Sequence, residues 1–105
     1  MKQAELRVDH LPAEPLDAAA VFHADHLHSA IAALEGGADQ LTVILSPSPT
    51  GHDDWRRAVA RDLARKFAPK RVNVLGGGSE EAVQSMLAYL RGAPGITGQY
   101  LPLHD

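Results

Sequence analysis

The chain has 105 residues, a net charge of −3, no cysteine and a hydrophobic fraction of 45%. That is material for a single domain with one core, and it excludes global disorder, disulfides, thiolate metal sites and a cysteine nucleophile. No apolar run approaches the roughly twenty residues of a membrane span, the N-terminus has no apolar leader, and the acidic balance speaks against nucleic acid; the cytoplasm is the expected compartment.

Along the chain, Ala4-Glu5-Leu6-Arg7-Val8-Asp9 alternates apolar and polar, the pattern of a strand with one buried face. Pro12 and Pro15 mark a loop, and Asp17 is the predicted N-cap of a helix that turns Val21, Leu27, Ile31 and Leu34 inward and ends at Gly36-Gly37. Leu41-Thr42-Val43-Ile44-Leu45 reads as a strand covered on both faces, followed by the proline-rich loop Ser46 to Gly51. Asp53 or Asp54 caps the next helix, whose stripe is Trp55, Val59, Leu63 and Phe67, and Pro69 stops it. Val72 to Leu75 forms a third strand. Ser79 caps a third helix, with Glu80 and Glu81 in its first turn and Val83, Met86, Leu87 and Leu90 inward; Gly92 closes it and Tyr100 to Leu103 forms a last strand.

The alternation β-α-β-α-β-α-β predicts an α/β domain over residues 1–105, with a four-stranded parallel sheet and three helices. Sequential right-handed crossovers give the order 1-2-3-4. Glu5, Arg7 and Asp9 blunt one edge, and Pro102 suits the other. If all three crossovers share that hand, the three helices lie on one face and the other is left bare; either a partner buries that face, or the last helix crosses to the opposite side.

Four groups of residues invite a chemical reading. Gly76-Gly77-Gly78 with Ser79, near Ser46, lies between a strand and a helix, where phosphate loops occur, but it also suits a tight turn, and Glu80 and Glu81 stand where an anion would sit. His23 and His26, three apart on one helix, are a candidate metal pair short of further ligands, with exposed or interface histidines as the ordinary alternative. Seven basic residues (Arg56, Arg57, Arg61, Arg65, Lys66, Lys70 and Arg71) crowd positions 56–71 and are read as a solvated helix face, since no aromatics interleave to stack on bases. Trp55 is a core residue or, preferentially, an interface anchor.

Two segments carry a resemblance. The helix Arg61-Asp62-Leu63-Ala64-Arg65-Lys66-Phe67-Ala68-Pro69 running into Arg71-Val72-Asn73, and Gly95-Ile96-Thr97-Gly98-Gln99-Tyr100-Leu101, resemble the closing third of short-chain dehydrogenase/reductases, which reads R.LA.ELAP, RVN, then ITGQ.L. The match runs from about Asp54 to Leu103, with the first fifty residues corresponding more loosely to the family's fourth strand, fifth helix and fifth strand. The resemblance implies half of a Rossmann-like fold. The family's dinucleotide fingerprint TGxxxGxG lies in a half that this sequence does not contain. Its catalytic tyrosine and lysine fall near Pro49 and Asp53, its serine at Pro47 or Ser46, and its substrate-covering insertion before the last helix is missing. No cofactor and no catalysis are therefore expected. The resemblance further implies a four-helix contact between copies, through the helices matching Asp17–Leu34 and Asp54–Phe67, with Leu27, Ile31, Trp55, Val59 and Leu63 at the interface. The expected partner is a second copy, in a dimer or tetramer, or a full-length dehydrogenase. The alternative is a small-ligand or nucleotide-binding protein with its site at the strand ends.

Overall fold

A computed structural model describes residues 2–104. The strands are β1 (Gln3–Val8), β2 (Gln40–Leu45), β3 (Arg71–Gly76) and β4 (Tyr100–Pro102), all parallel, in the order β1-β2-β3-β4. The helices are α1 (Pro15–Val21), α2 (Leu27–Glu35), α3 (Asp53–Lys66) and α4 (Glu80–Arg91). A π turn, Phe22–His26, joins α1 to α2 in one continuous rod, and a 3-10 turn, Thr50–His52, leads into α3. The predicted α/β architecture and strand order are the observed ones.

Strand pleating separates two cores. Val43, Leu45, Val72 and Val74 pack with Phe22, Leu34, Val59 and Leu63, whereas Ile44 and Leu75 point the other way and pack with Val83, Leu87 and Leu90. The α1–α2 rod and α3 therefore cover one face, and α4 covers the other. The crossover through α4 has the opposite hand to the first two, so of the two arrangements left open the last helix crosses to the opposite side and no sheet face is left bare.

The α4 face of the sheet is polar at the amino ends of its strands, and that polarity holds the helix there. Arg71 Nη1 donates to the carbonyls of Leu90 (3.1 Å) and Ala93 (3.0 Å), and its Nη2 donates to Gln40 Oε1 at 3.0 Å. Gln40 Nε2 adds a longer bond to Leu90 O at 3.4 Å. A buried cation thus meets carbonyls at and just beyond the C-terminus of α4, adding to the turn bonds they already accept from Ala93 N and Ile96 N, where the helix dipole also favours positive charge.

The two motifs that carried the resemblance bind each other. Asn73, fully buried, donates from Nδ2 to Ile96 O and accepts from Gln99 N through Oδ1, both at 3.1 Å. Val72 N donates to Thr97 Oγ1 at 3.0 Å, Gly98 N to Val72 O at 2.7 Å, and Val74 N to Gln99 O at 2.9 Å. Gly98 supplies the left-handed turn this requires, with φ of 73°. The RVN and ITGQ strings are one structural clasp that lays β4 beside β3.

Helix starts differ in detail from the sequence reading. Glu14, not Asp17, caps α1: its carboxylate accepts from Leu16 N (3.1 Å) and Asp17 N (3.2 Å). Pro15 follows at the first helical position, where its fixed φ and missing N–H suit a helix start. The π turn then rotates the inward face, so Ala18, Phe22, Ala30 and Leu34 are buried while Val21, Leu27 and Ile31 are half-buried. His52 precedes α3 with no side-chain cap, and Asp53 and Asp54 occupy its first turn. Ser79 does cap α4, accepting from Ala82 N at 3.1 Å, and Gly92 ends it.

Candidate functional site

The carboxyl ends of β2, β3 and β4 open into a cleft of about 380 Å³, walled by Pro47, Ser48, Thr50 and Asp53 on one side and by Gly76, Tyr100, Pro102, Leu103 and His104 on the other. Open parallel sheets bind ligands at this end. The predicted Ser46 does not reach into it: its Oγ donates to Asp9 O at 2.6 Å, tying the loop after β1 to the loop after β2.

Packing accounts for each of the three consecutive glycines. A Cβ on Gly76 would stand 2.2 Å from Tyr100 Oη, one on Gly77 would stand 3.0 Å from Pro47 atoms, and one on Gly78 would stand 2.9 Å from Leu103 Cβ. Gly77 and Gly78 also have φ of 77° and 85°, a region side chains disfavour. Gly77 N donates to Leu45 O at 2.8 Å, so that amide is engaged by the strand before it.

On the other side of Pro47 a smaller recess, about 190 Å³, is lined among others by Arg7, Asp9, Ser46, Gly78 and Glu80. Arg7 forms a two-pronged pair with Glu80, both bonds at 2.9 Å. The Glu80 carboxyl is held below the usual glutamate range, first by its hydrogen bond from Gln84 and then by Arg7; the Arg7 guanidinium is correspondingly raised. A depressed carboxyl stabilises the fold above its unfolded pKa, and that stabilisation is lost as pH falls through the folded value. The stability difference between wild type and Glu80→Gln is thus expected at neutral pH and to vanish in acid, below the ordinary glutamate range. Denaturant titrations at several pH values check this. Because both side chains are well exposed, at 38% and 64%, added salt should shrink the difference as well.

The basic run divides in two. Arg57, Arg61, Arg65 and Lys66 are exposed, as read, but Arg56 is 2% exposed and Arg71 7%. Lys70 Nζ donates to Leu34 O. Arg56 belongs to the buried stripe Arg56, Val59, Ala60, Leu63, whose i, i+3, i+4, i+7 spacing was legible in the sequence had a charged residue been allowed on it. Its Nη1 donates to Ser46 O (3.0 Å) and Tyr100 Oη (3.2 Å), and its Cζ lies 5.5 Å from the Trp55 ring centroid and 5.8 Å from that of Tyr100.

Trp55 is partly buried and tied within the chain. Its ring packs on Phe22 at 5.6 Å and its Nε1 donates to His52 Nδ1 at 3.1 Å. Buried His52 lies 2.9 Å from Ala13 O through Nε2, and the two contacts together assign the proton to Nε2. His23 and His26 fall in the π turn, both against Phe22, with His23 Nδ1 2.7 Å from Ala19 O. Among the described residues no group of three or more metal-ligating side chains forms.

Between α2 and α3 an apolar groove of about 240 Å³ is lined by Leu27, Ile31, Val59 and Leu63, with His23, Asp62 and Lys66 around it. Four of the five predicted interface residues thus come together; Trp55 lies outside. Val59 and Leu63 are 5% and 4% exposed and form the floor, while Leu27 and Ile31 form the half-exposed wall. No helix among the described residues is long and apolar enough to cross a membrane.

Parallel strands in sequential order, layered between helices with a cleft at their carboxyl ends, define a Rossmann-like α/β domain. A family model described as "Short chain dehydrogenase-like protein" matches residues 6–103, and the chain belongs to that family. No curated protein and no solved structure matches the chain.

Proposed function

We propose that this protein is a non-catalytic member of its family that acts by self-association through the α2–α3 face. The observation that carries the reading is the groove between those helices, which gathers Leu27, Ile31, Val59 and Leu63 into one apolar surface. Partly exposed leucine and isoleucine side chains beside a preformed groove gain from burial against a second copy, at about 25 cal/mol per Å² of apolar area removed from water. Asp62 and Lys66 beside the groove offer opposite charges at the rim, where they favour a particular register more than they add affinity. The non-catalytic part of the reading rests on Pro49 and Asp53, which stand where the family's tyrosine and lysine fall. Neither supplies a phenol or an ammonium for proton transfer.

Light scattering coupled to size exclusion tests the assembly. At micromolar concentration the expected mass is a multiple of the 11.2 kDa chain, and Leu27→Glu combined with Ile31→Glu is expected to return it to the monomer with an unchanged circular dichroism spectrum. Both side chains are half-buried and pack against the core, so the unchanged spectrum is the control that separates loss of assembly from loss of fold. A wild-type monomer across that concentration range would overturn the proposal.

A further inference from the structure

We propose that the cleft at the carboxyl ends of β2, β3 and β4 binds a small monoanionic carboxylate, placed by the Tyr100 hydroxyl over the buried Arg56 guanidinium.

One buried charge has no counterion among the described residues. Arg56 is 2% exposed, yet no carboxylate pairs with it among the described residues, whose ion pairs are Arg7–Glu80 and Arg57–Asp54. Its Nε is buried with no hydrogen-bond partner. A buried guanidinium without a counterion is costly, and the Trp55 and Tyr100 ring faces offset only part of that cost. Something negative near this group would lower the free energy of the native state.

The cleft reaches it through Tyr100, since Arg56 itself lies behind the cleft wall. Tyr100 lines the cleft, and its Oη accepts a hydrogen bond from Arg56 Nη1 at 3.2 Å. That bond occupies a lone pair of the phenol and leaves its proton available for a ligand oxygen, while the adjoining cation strengthens it as a donor. Ser48 lines the same cleft, and its Oγ is shielded from solvent without a partner, a second donor that a rotation about its Cα–Cβ bond can offer.

Charge and shape select the ligand. Asp53 is the carboxylate in the cleft wall, and it opposes any anion. Because Asp53 is only partly buried, water screens its charge more than that of Arg56. The balance admits one negative charge and disfavours two. Pro47, Pro102 and Leu103 supply apolar walls for a short carbon skeleton, and about 380 Å³ holds a molecule of a few heavy atoms with room to spare.

Amide-detected NMR titration of the full chain with sodium acetate and sodium pyruvate, at ionic strength held constant with chloride, tests the assignment. Saturable shifts are expected at the amides of Ser48, Gly76 and Tyr100, with neutral acetamide and dianionic phosphate each binding at least about tenfold more weakly. Tyr100→Phe keeps the ring on Gly76 and is expected to weaken carboxylate binding about tenfold, the scale of one charge-assisted hydrogen bond. Asp53→Asn removes the opposing charge and is expected to tighten it several-fold. Both variants retain Arg56, so the test does not depend on a fold that its loss would damage. Shifts that follow chloride equally, a Tyr100→Phe protein that binds acetate like wild type, phosphate binding as tight as acetate, or the absence of saturable shifts would each overturn the proposal.

Discussion

Asn73→Ala is expected to destabilise the fold by about 3 kcal/mol. The side chain is fully buried and makes two hydrogen bonds, to Ile96 O and from Gln99 N. Alanine removes both and opens a small void beneath the turn that precedes β4. For a domain of this size the loss corresponds to a fall in melting temperature of roughly 15 °C. Thermal and urea unfolding of the variant measure it. Because β4 has only three residues and its register follows from the clasp, amide exchange should quicken at Tyr100 and Leu101 before the rest of the sheet is affected. Wild-type stability in this variant would show that the RVN and ITGQ segments do not hold one another.

Gly76→Ala is the second large effect, again about 3 kcal/mol, from overpacking. The added methyl would lie 2.2 Å from Tyr100 Oη and 2.9 Å from two ring carbons. Those distances cannot be relieved by a small shift, since Tyr100 is held by Arg56 at one end and by its strand at the other. The double variant Gly76→Ala with Tyr100→Ala should therefore lose less stability than the sum of the two single variants, by about 1–2 kcal/mol. Chemical denaturation of the four proteins closes the cycle. Strict additivity would place the Tyr100 ring elsewhere.

These two predictions bear on different parts of the molecule's use. The clasp keeps β4 in the sheet and so forms one wall of the cleft; the Gly76–Tyr100 contact shapes its floor. Neither touches the α2–α3 groove. Weakened ligand binding with intact assembly is the expected signature of Tyr100→Phe, and the reverse is expected of Leu27→Glu with Ile31→Glu.

Much of this was legible in the chain itself. Alternation in β1, continuous apolar runs in β2 and β3, and the Ser79 cap depend on neighbours along the backbone, so local chemistry announces them. The family resemblance rested on Asn73 and the Ile96–Gln99 turn, and those residues prove to be contact partners. Their spacing reads as a motif because a strand and a turn some twenty residues apart must fit each other.

Other features escape a reading of local pattern, some because a competing signal stood nearby and some because they depend on distant partners. Glu14 displaces Asp17 as a cap because Pro15 suits the first helical position, a choice settled by one turn of backbone. The π turn is visible only once Phe22 has a core to enter. Arg56 looks like its neighbours Arg57 and Arg61 in the sequence, yet it alone of the three is buried, since its position on the stripe of α3 aims it at Tyr100, 44 residues away.

Local pattern, then, determined the element order, the parallel sheet and the family, because periodicity and turn chemistry act over a few residues. Tertiary structure alone decided which face α4 covers, and with it the hand of the last crossover. Arg71 and Gln40 meet the carbonyl end of that helix only after β2 and β3 have paired. It also decided that three glycines serve close packing, and that one arginine lies beneath a cleft without a counterion. Burial and charge balance are properties of surroundings, and those of Arg56 join α3 to the Ser46 loop and to Tyr100 of β4.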